Sequence, residues 1–353
     1  MRDTYDINPG YYHLKNDLNA YPEAWCYVCW SARSQGKTYS ALWQAYCEEI
    51  PIVYIKRTKD DVDLICNDNN LNFDASPYVP INRDHGTDIH AKKITSGIGG
   101  FYIGEEPHPI SYVIALSAAK SVKGFDLSIC DWMILDEFIP QVGEIVRRKE
   151  GDMVLDLYLT ISRDREQRGR MPLKLILFAN AEDISTPVTN TLEIVDTMSE
   201  MNVNGNEYHY DTDRGILLHR IPNQHSAKTD HGGIYNAMKD TTWGKKSFGG
   251  EFSHNDFSCV QKMSLKGCVP WIQIHYKSHD YYIYRRNSDG FLYMCTSRGS
   301  CLECYDLDRE VEQKRFFSSA WIDINRQCID GRMYFQKYSM YDLMTNYRSF
   351  FKV

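Results

Sequence analysis

No run of this chain stays apolar for anything near the roughly eighteen residues that a membrane-spanning helix needs, so a membrane span is not expected. An excess of positive charge is also missing. Lys and Arg number 40 against 47 Asp and Glu, a formal net charge of −7. That balance excludes a surface coated in basic residues for permanent nucleic-acid binding, and leaves only transient contact through a local basic strip. The cysteines lack the pattern of a secreted scaffold. There are eleven, an odd number, spread over 353 residues and often in strand-like segments, as expected of reduced thiols in a cytoplasm. A zinc site lacks ligands as well. Cys26 and Cys29 lie in one strand-like run, where residues three apart face opposite sides. Cys301 and Cys304 have only Cys295 nearby, whereas a structural site needs four converging ligands. The polar, acidic start, Met1-Arg2-Asp3-Thr4-Tyr5-Asp6, carries no secretory signal.

What is present is an ordinary globular composition, 43% hydrophobic and 25% charged, on a chain long enough for two domains. The 25 Tyr and 7 Trp are dispersed, and read mostly as core and strand residues. The chain is organised around Trp25 to Tyr39. An apolar run to Trp30 predicts a buried strand; small and polar residues follow, then Gly36-Lys37-Thr38 and helix-forming sequence. Strand, loop and helix in that order form a phosphate-binding P-loop, with Ser31 at the first position of the usual G-x-x-x-x-G-K-[ST] pattern. In such a loop Ser31, Ala32, Arg33, Ser34, Gln35 and Gly36 wrap the phosphates. Lys37 would meet the β- and γ-phosphates of a nucleotide and the Thr38 hydroxyl would ligate Mg²⁺, the alternative being an accidental Gly-Lys-Thr in a surface turn.

The loop-rich lead-in, with Tyr11-Tyr12 and Tyr21-Pro22, is placed to lie against a nucleotide base. Tyr39 to Glu49 predicts a helix ended by Pro51, and Ile52 to Ile55 a strand. That βαβ unit implies a parallel sheet. Lys56, Arg57 and Lys59 follow, either touching phosphate or DNA or forming a solvated charge run. Two short strands are expected near Ile94 and Phe101 to Ile103, around a turn at Gly97 to Gly100. Tyr112 to Leu116 is a further apolar run, followed by a small basic loop, Ser117 to Gly124. Trp132 to Leu135 predicts a buried strand that delivers Asp136 and Glu137 at its carboxyl end, the Walker B pattern. Asp136 would hold the Mg²⁺ shell, and Glu137 would orient or deprotonate the attacking water. An acid in the second position suits water attack better than transfer to a small substrate.

Val154 to Ile161 is a helix or strand feeding four arginines between Arg163 and Arg170. They form either a solvated end or an arginine finger that neutralises charge on the γ-phosphate. Leu173 to Phe178 predicts another buried strand, with Asn180 at its tip to sense the γ-phosphate or the water. Ile216 to Pro222 closes the domain. Residues 223–250, with a short helix near Tyr235 to Met238, read as a linker. Beyond it Trp271 to Tyr276, Tyr281 to Arg285 and Phe291 to Cys295 alternate as hairpin strands, and Tyr338 to Phe351 ends the chain as a helix.

Ser-Ala-Arg-Ser-Gln-Gly-Lys-Thr (31–38), Ile-Val-Tyr-Ile-Lys-Arg (52–57), Ile-Leu-Asp-Glu-Phe-Ile (134–139), Ser-Arg-Asp-Arg-Glu (162–166) and Phe-Ala-Asn-Ala (178–181) together resemble the genome-packaging ATPases of phi29-type phages, relatives of large terminase subunits. Ser31 and Ser34 stand where that family often has Gly. The resemblance implies an α/β ASCE P-loop ATPase domain with a parallel sheet (1–222), a linker (223–256), and a small α+β, vestigial RNase H-like domain (257–353). It implies a homopentameric ring at the portal vertex that drives double-stranded DNA into an empty capsid with ATP and Mg²⁺, in some members with a packaging RNA, in the cytoplasm of the infected bacterial host. By the same resemblance, Arg163 is the finger that acts on a neighbouring copy, Lys123 is a second basic residue near the neighbour's site, and Asn180 follows the fourth strand. Nuclease activity is not expected. The strand Trp271 to Tyr276 carries no acid, and Asp280, Asp289, Asp306 and Asp308 fall mainly at turns. The alternatives are a nuclease-competent terminase or other P-loop enzyme such as a kinase, and a capsid-associated protein with a decayed loop. Asp136-Glu137 speaks against the kinase, and intact Lys37, Thr38 and Glu137 speak against decay.

Overall fold

The computed structural model describes residues 5–6, 8–67, 75–141, 143–144, 146–223, 232–250, 252 and 255–353. The side chains at 120, 123, 166, 242, 245 and 246 also lie outside the described set. The chain divides into two compact units, residues 1–192 with 204–254, and residues 193–203 with 255–353.

In the first unit, β1 (Cys26–Ser31), β2 (Ile52–Lys56), β3 (Ile89–Thr95), β4 (Ile98–Ile103), β5 (Ser111–Ala115), β6 (Trp132–Asp136), β7 (Lys174–Asn180), β8 (Tyr208–Asp211) and β9 (Ile216–Arg220) form one sheet, in the order β3-β4-β5-β2-β6-β7-β1-β9-β8. The central strands β5, β2, β6, β7, β1 and β9 run parallel. Strands covered on both faces read as continuous apolar runs rather than alternating ones, and all six residues of β1 are buried. The helices include α1 (Leu14–Ala20), α2 (Lys37–Cys47), α3 (Lys59–Ile65), α4 (Val79–His85) and α5 (Glu150–Ser162). Helix α2 presents Ala41, Leu42 and Ala45 to a core shared with Tyr27, Ile52, Tyr54 and Ile176.

Two local expectations change. The turn between β3 and β4 is tighter than Gly97 to Gly100, because Ile98, Gly99 and Gly100 belong to β4. Gly99 is there for space: a Cβ on it would come within 2.3 Å of Cys66 Sγ. The basic loop after β5 is a 3₁₀ helix, Leu116–Gly124.

The second unit carries a five-stranded sheet, with β10 (Cys268–Tyr276), β11 (His279–Arg286), β12 (Leu292–Cys295), β13 (Glu303–Asp306) and β14 (Met333–Phe335) in the order β13-β10-β11-β12-β14. An antiparallel meander, β10 to β12, gains β13 parallel to β10 at one edge and β14 parallel to β12 at the other. Its core gathers Ile272, Ile274, Ile283, Met294, Phe316 and Tyr347. The chain ends in two short helices, Tyr338–Thr345 and Tyr347–Phe350, rather than one.

Candidate active site

Parallel strands point their carboxyl ends to one edge, where ligands of open α/β sheets bind. β1 ends there in Ser31, paired in register with Asn180 at the tip of β7. Ser31 is in extended strand, so its position needs no glycine, and its hydroxyl accepts a hydrogen bond from Lys37 Nζ. Lys37 Nζ also donates to the Ala32 carbonyl and to Asn180 Oδ1, each at 3.3 Å. Burial lowers the Lys37 ammonium to about 8, against the opposing pull of the Asp136 carboxylate. A buried ammonium held by neutral acceptors is a charge prepared for an anion. Glycine is required at 36, which sits at φ +81° with the Tyr11 side chain 3.2 Å from where a Cβ would be. Ser34 also adopts a left-handed φ, +61°. Arg33 turns its guanidinium away to Glu182 Oε1 at 3.4 Å, and its N–H donates to the Ser247 carbonyl.

Thr38, in the first turn of α2, donates to Asp136 Oδ2 at 2.8 Å. Tyr54 OH donates to the same oxygen at 3.0 Å. Burial first, and then Asp136, hold that phenol well above its usual value, so it stays a donor. A hydroxyl and a carboxylate are hard oxygen ligands, and neighbouring ligands of an octahedral Mg²⁺ at about 2.1 Å stand about 3 Å apart. The Thr38 and Asp136 oxygens fit that ion in kind and in separation.

Glu137 has φ +59°, a left-handed conformation that costs a non-glycine residue about 1–2 kcal/mol. The kink turns its carboxylate out of the strand, where Gln141 Nε2 donates to Oε1 at 2.9 Å and Lys56 Nζ stands 3.9 Å from Oε2. Arg57 braces the same turn. It donates to the Glu137 carbonyl at 3.0 Å and forks onto Glu150, whose Oε1 and Oε2 lie 3.1 and 3.0 Å from its Nε, and it reaches Glu144 at 2.8 Å. Its donors therefore serve carboxylates and backbone.

Ser34 to Tyr39, Asp136, Glu137, Ala179 and Asn180 thus line one cavity of about 210 Å³. A second, of about 640 Å³, shares Ser34, Gly36 and Tyr39 and continues to Tyr11, Asn8, Arg83 and His85. Of the lead-in tyrosines Tyr11 faces that space, while Tyr12 is buried and donates to Asp17. Arg163 lines neither cavity; it ends α5 with its side chain 82% exposed and Asp164 3.8 Å away. The Lys123 side chain, and those of Lys245 and Lys246, lie outside the described residues.

Sequence reasoning passed over Tyr54, Gln141 and the Arg57–Glu150 pair. A tyrosine inside a buried strand was a usable sign, since its hydroxyl must find a partner. Two further clusters of ligand-type side chains occur among the described residues. Asp17, Cys29 and His219 form a buried network in which His219 Nδ1 lies 2.7 Å from Asp17. In the second unit His275 and Asp306 pair across β10 and β13 with Asp308 close by. Asp280 bonds His275 at 2.9 Å, and Asp289 is taken by Arg286.

A P-loop strand separated by one strand from the strand bearing the acid pair defines the ASCE class of P-loop nucleotide-binding fold. No family model and no curated protein sequence matches the chain. Among solved structures, it is similar to the bacteriophage Phi-29 viral genome packaging motor assembly, with 17% identity and a TM-score of 0.66 over 96% of this chain and 99% of that one. It is also similar to the Phi-28 gp11 DNA packaging motor, with 16% identity and a TM-score of 0.62 over 98% and 99%. The fold of the whole chain is therefore that of these packaging motors, with an ASCE P-loop domain in the first unit.

Proposed function

We propose that this chain is an ATP-hydrolysing DNA-packaging motor, acting as a homo-oligomeric ring at the portal vertex of a preformed capsid. The observation that carries the reading is the meeting of Lys37, Thr38, Asp136, Glu137 and Asn180 at one edge of the sheet. The similar structures, themselves described as packaging motors, support the transport role.

Lys37, already stripped of water, binds the β- and γ-phosphates, and the backbone N–H groups of Ser34 to Thr38 surround them. The nucleoside extends along Tyr11 and Tyr39 into the larger cavity. Thr38 and Asp136 hold Mg²⁺, which supplies charge neutralisation at the phosphates. Glu137, fixed by Gln141, orients the water and takes its proton, and Asn180 marks where the γ-phosphate ends. Arg163, exposed and away from its own phosphate cavity, serves the neighbouring copy's site, with Lys123 as a second basic contact. The ring is a pentamer, engages a packaging RNA as some relatives by resemblance do, and works in the host cytoplasm. DNA is gripped through its backbone, so transport is indifferent to sequence and weakened by salt.

The test is DNA-stimulated ATPase of Glu137→Gln, of Arg163→Ala, and of the two mixed. Each variant alone loses turnover, and the mixture regains it because each supplies what the other lacks. Full turnover by Arg163→Ala alone sinks the shared site. Equal turnover with and without double-stranded DNA sinks the motor.

A further inference from the structure

One of the four arginines between Arg163 and Arg170 is unlike the others. Arg165 is 1% exposed. A buried guanidinium is costly unless its donors are met, and here they are met from two directions. Nη1 donates to the carbonyls of Ser128, at 2.8 Å, and Cys130, and Nη2 pairs with Asp131 Oδ1. Nε and Nη2 both reach the Met171 carbonyl, at 3.1 and 3.0 Å. The first group belongs to the turn that leads into β6, and the second to the segment that leads into β7. Arg168 and Arg170 add contacts to Ser128 at 3.3 and 3.1 Å. Between Arg163 and Arg165, Asp164 takes φ +58°, so the chain reverses and one arginine faces outward while the other faces in. A cavity of about 510 Å³ lies there, lined by Phe125, Asp126, Leu159, Arg163 and Arg168 among others.

The geometry points to Arg165 as the positioning residue for Arg163. It lines neither the phosphate cavity nor the larger one beside it. It pins the loop that bears Arg163 onto the 126–131 turn, which directly follows the 3₁₀ helix Leu116–Gly124 that bears Lys123. One buried fork therefore keeps in fixed register the two segments assigned to a neighbouring copy's site. Lysine keeps the charge but presents a single nitrogen, which cannot span carbonyls on two segments. This inference rests on the shared-site reading above.

The test uses the full chain with ATP and double-stranded DNA. In Arg165→Lys, kcat falls about 10²-fold, the cost of a displacement near 1 Å at a catalytic group, while KM for ATP stays within about twofold, because the chain's own phosphate site is untouched. Mixed with Glu137→Gln, the variant regains turnover as Arg163→Ala does. A merely structural role moves stability and KM and gives no complementation. Asp131→Ala, which removes one partner of the guanidinium, shows a smaller kcat loss that is complemented in the same way, and it carries the test should Arg165→Lys fail to fold. Unchanged kcat in either folded variant, or a loss that Glu137→Gln does not complement, overturns the proposal. Should Arg163→Ala keep full turnover, it is the shared site that fails, whatever Arg165→Lys does.

Discussion

Thr38 Oγ1 and Asp136 Oδ2 are 2.8 Å apart and hydrogen-bonded, although 98 residues separate them in the chain. The contact joins the first turn of α2 to the tip of β6, and the same two oxygens are those proposed to share Mg²⁺. Thr38→Ala and Asp136→Asn are therefore expected to raise the Mg²⁺ needed for half-maximal turnover and to lower kcat. Their double variant should fall short of the summed losses by about 0.5–3 kcal/mol, the coupling of residues that act on one centre. Strictly additive losses in a Mg²⁺ titration of turnover would separate their roles.

Glu137→Gln should bind ATP as the parent does and lose about 10²–10⁴-fold in kcat, the contribution of a positioned general base. Gln141→Ala frees the Glu137 carboxylate from a 2.9 Å hydrogen bond. A bond to a charged group contributes about 1.5–3 kcal/mol, so a loss on the order of tenfold or more is expected, in kcat rather than KM. Parental kcat in Gln141→Ala would show that something else holds the carboxylate.

Arg57 pairs with Glu150, whose side chain is 2% exposed. Arg57→Met leaves that carboxylate buried and unpaired, and should cost about 3–5 kcal/mol in urea unfolding. Replacing both residues by Met should return most of the loss, since an apolar pair leaves no buried charge. A single variant within about 1 kcal/mol of the parent would contradict the bracing role.

Gly36→Ala places a side chain at φ +81° against Tyr11, and should destabilise the loop by about 1–2 kcal/mol. Ser34→Gly relieves a residue already at φ +61° while loosening the unfolded chain. The two effects oppose, and the net change in unfolding free energy should stay within about 0.5 kcal/mol. Thermal unfolding of both variants distinguishes the positions. A neutral Gly36→Ala would mean the loop relaxes into another shape.

Much of the site was legible because its signals are local. The apolar runs of β1, β6 and β7 mark strands buried on both faces, and Lys37, Thr38, Asp136, Glu137 and Asn180 fall at their carboxyl ends, where the chain order alone put them. Ser31, at the pattern position usually held by glycine, lies in extended strand. The left-handed Glu137 was not legible. Its conformation comes from the way Arg57 and Gln141 brace the turn, and no neighbour in sequence announces that.

The sequence by itself determined which segments become strands, which loop joins β1 to α2 and which acids fall at the end of β6, because propensity, periodicity and spacing act over a few residues. Only the tertiary structure decided that β7 lies between β1 and β6, that Tyr54 and Thr38 converge on one carboxylate oxygen, and that Arg165 turns inward while Arg163 stays out. Four arginines in one short stretch are alike in local propensity. What distinguishes them is which distant carbonyls the folded chain brings within reach, and that depends on the packing of segments that meet only when the sheet has formed.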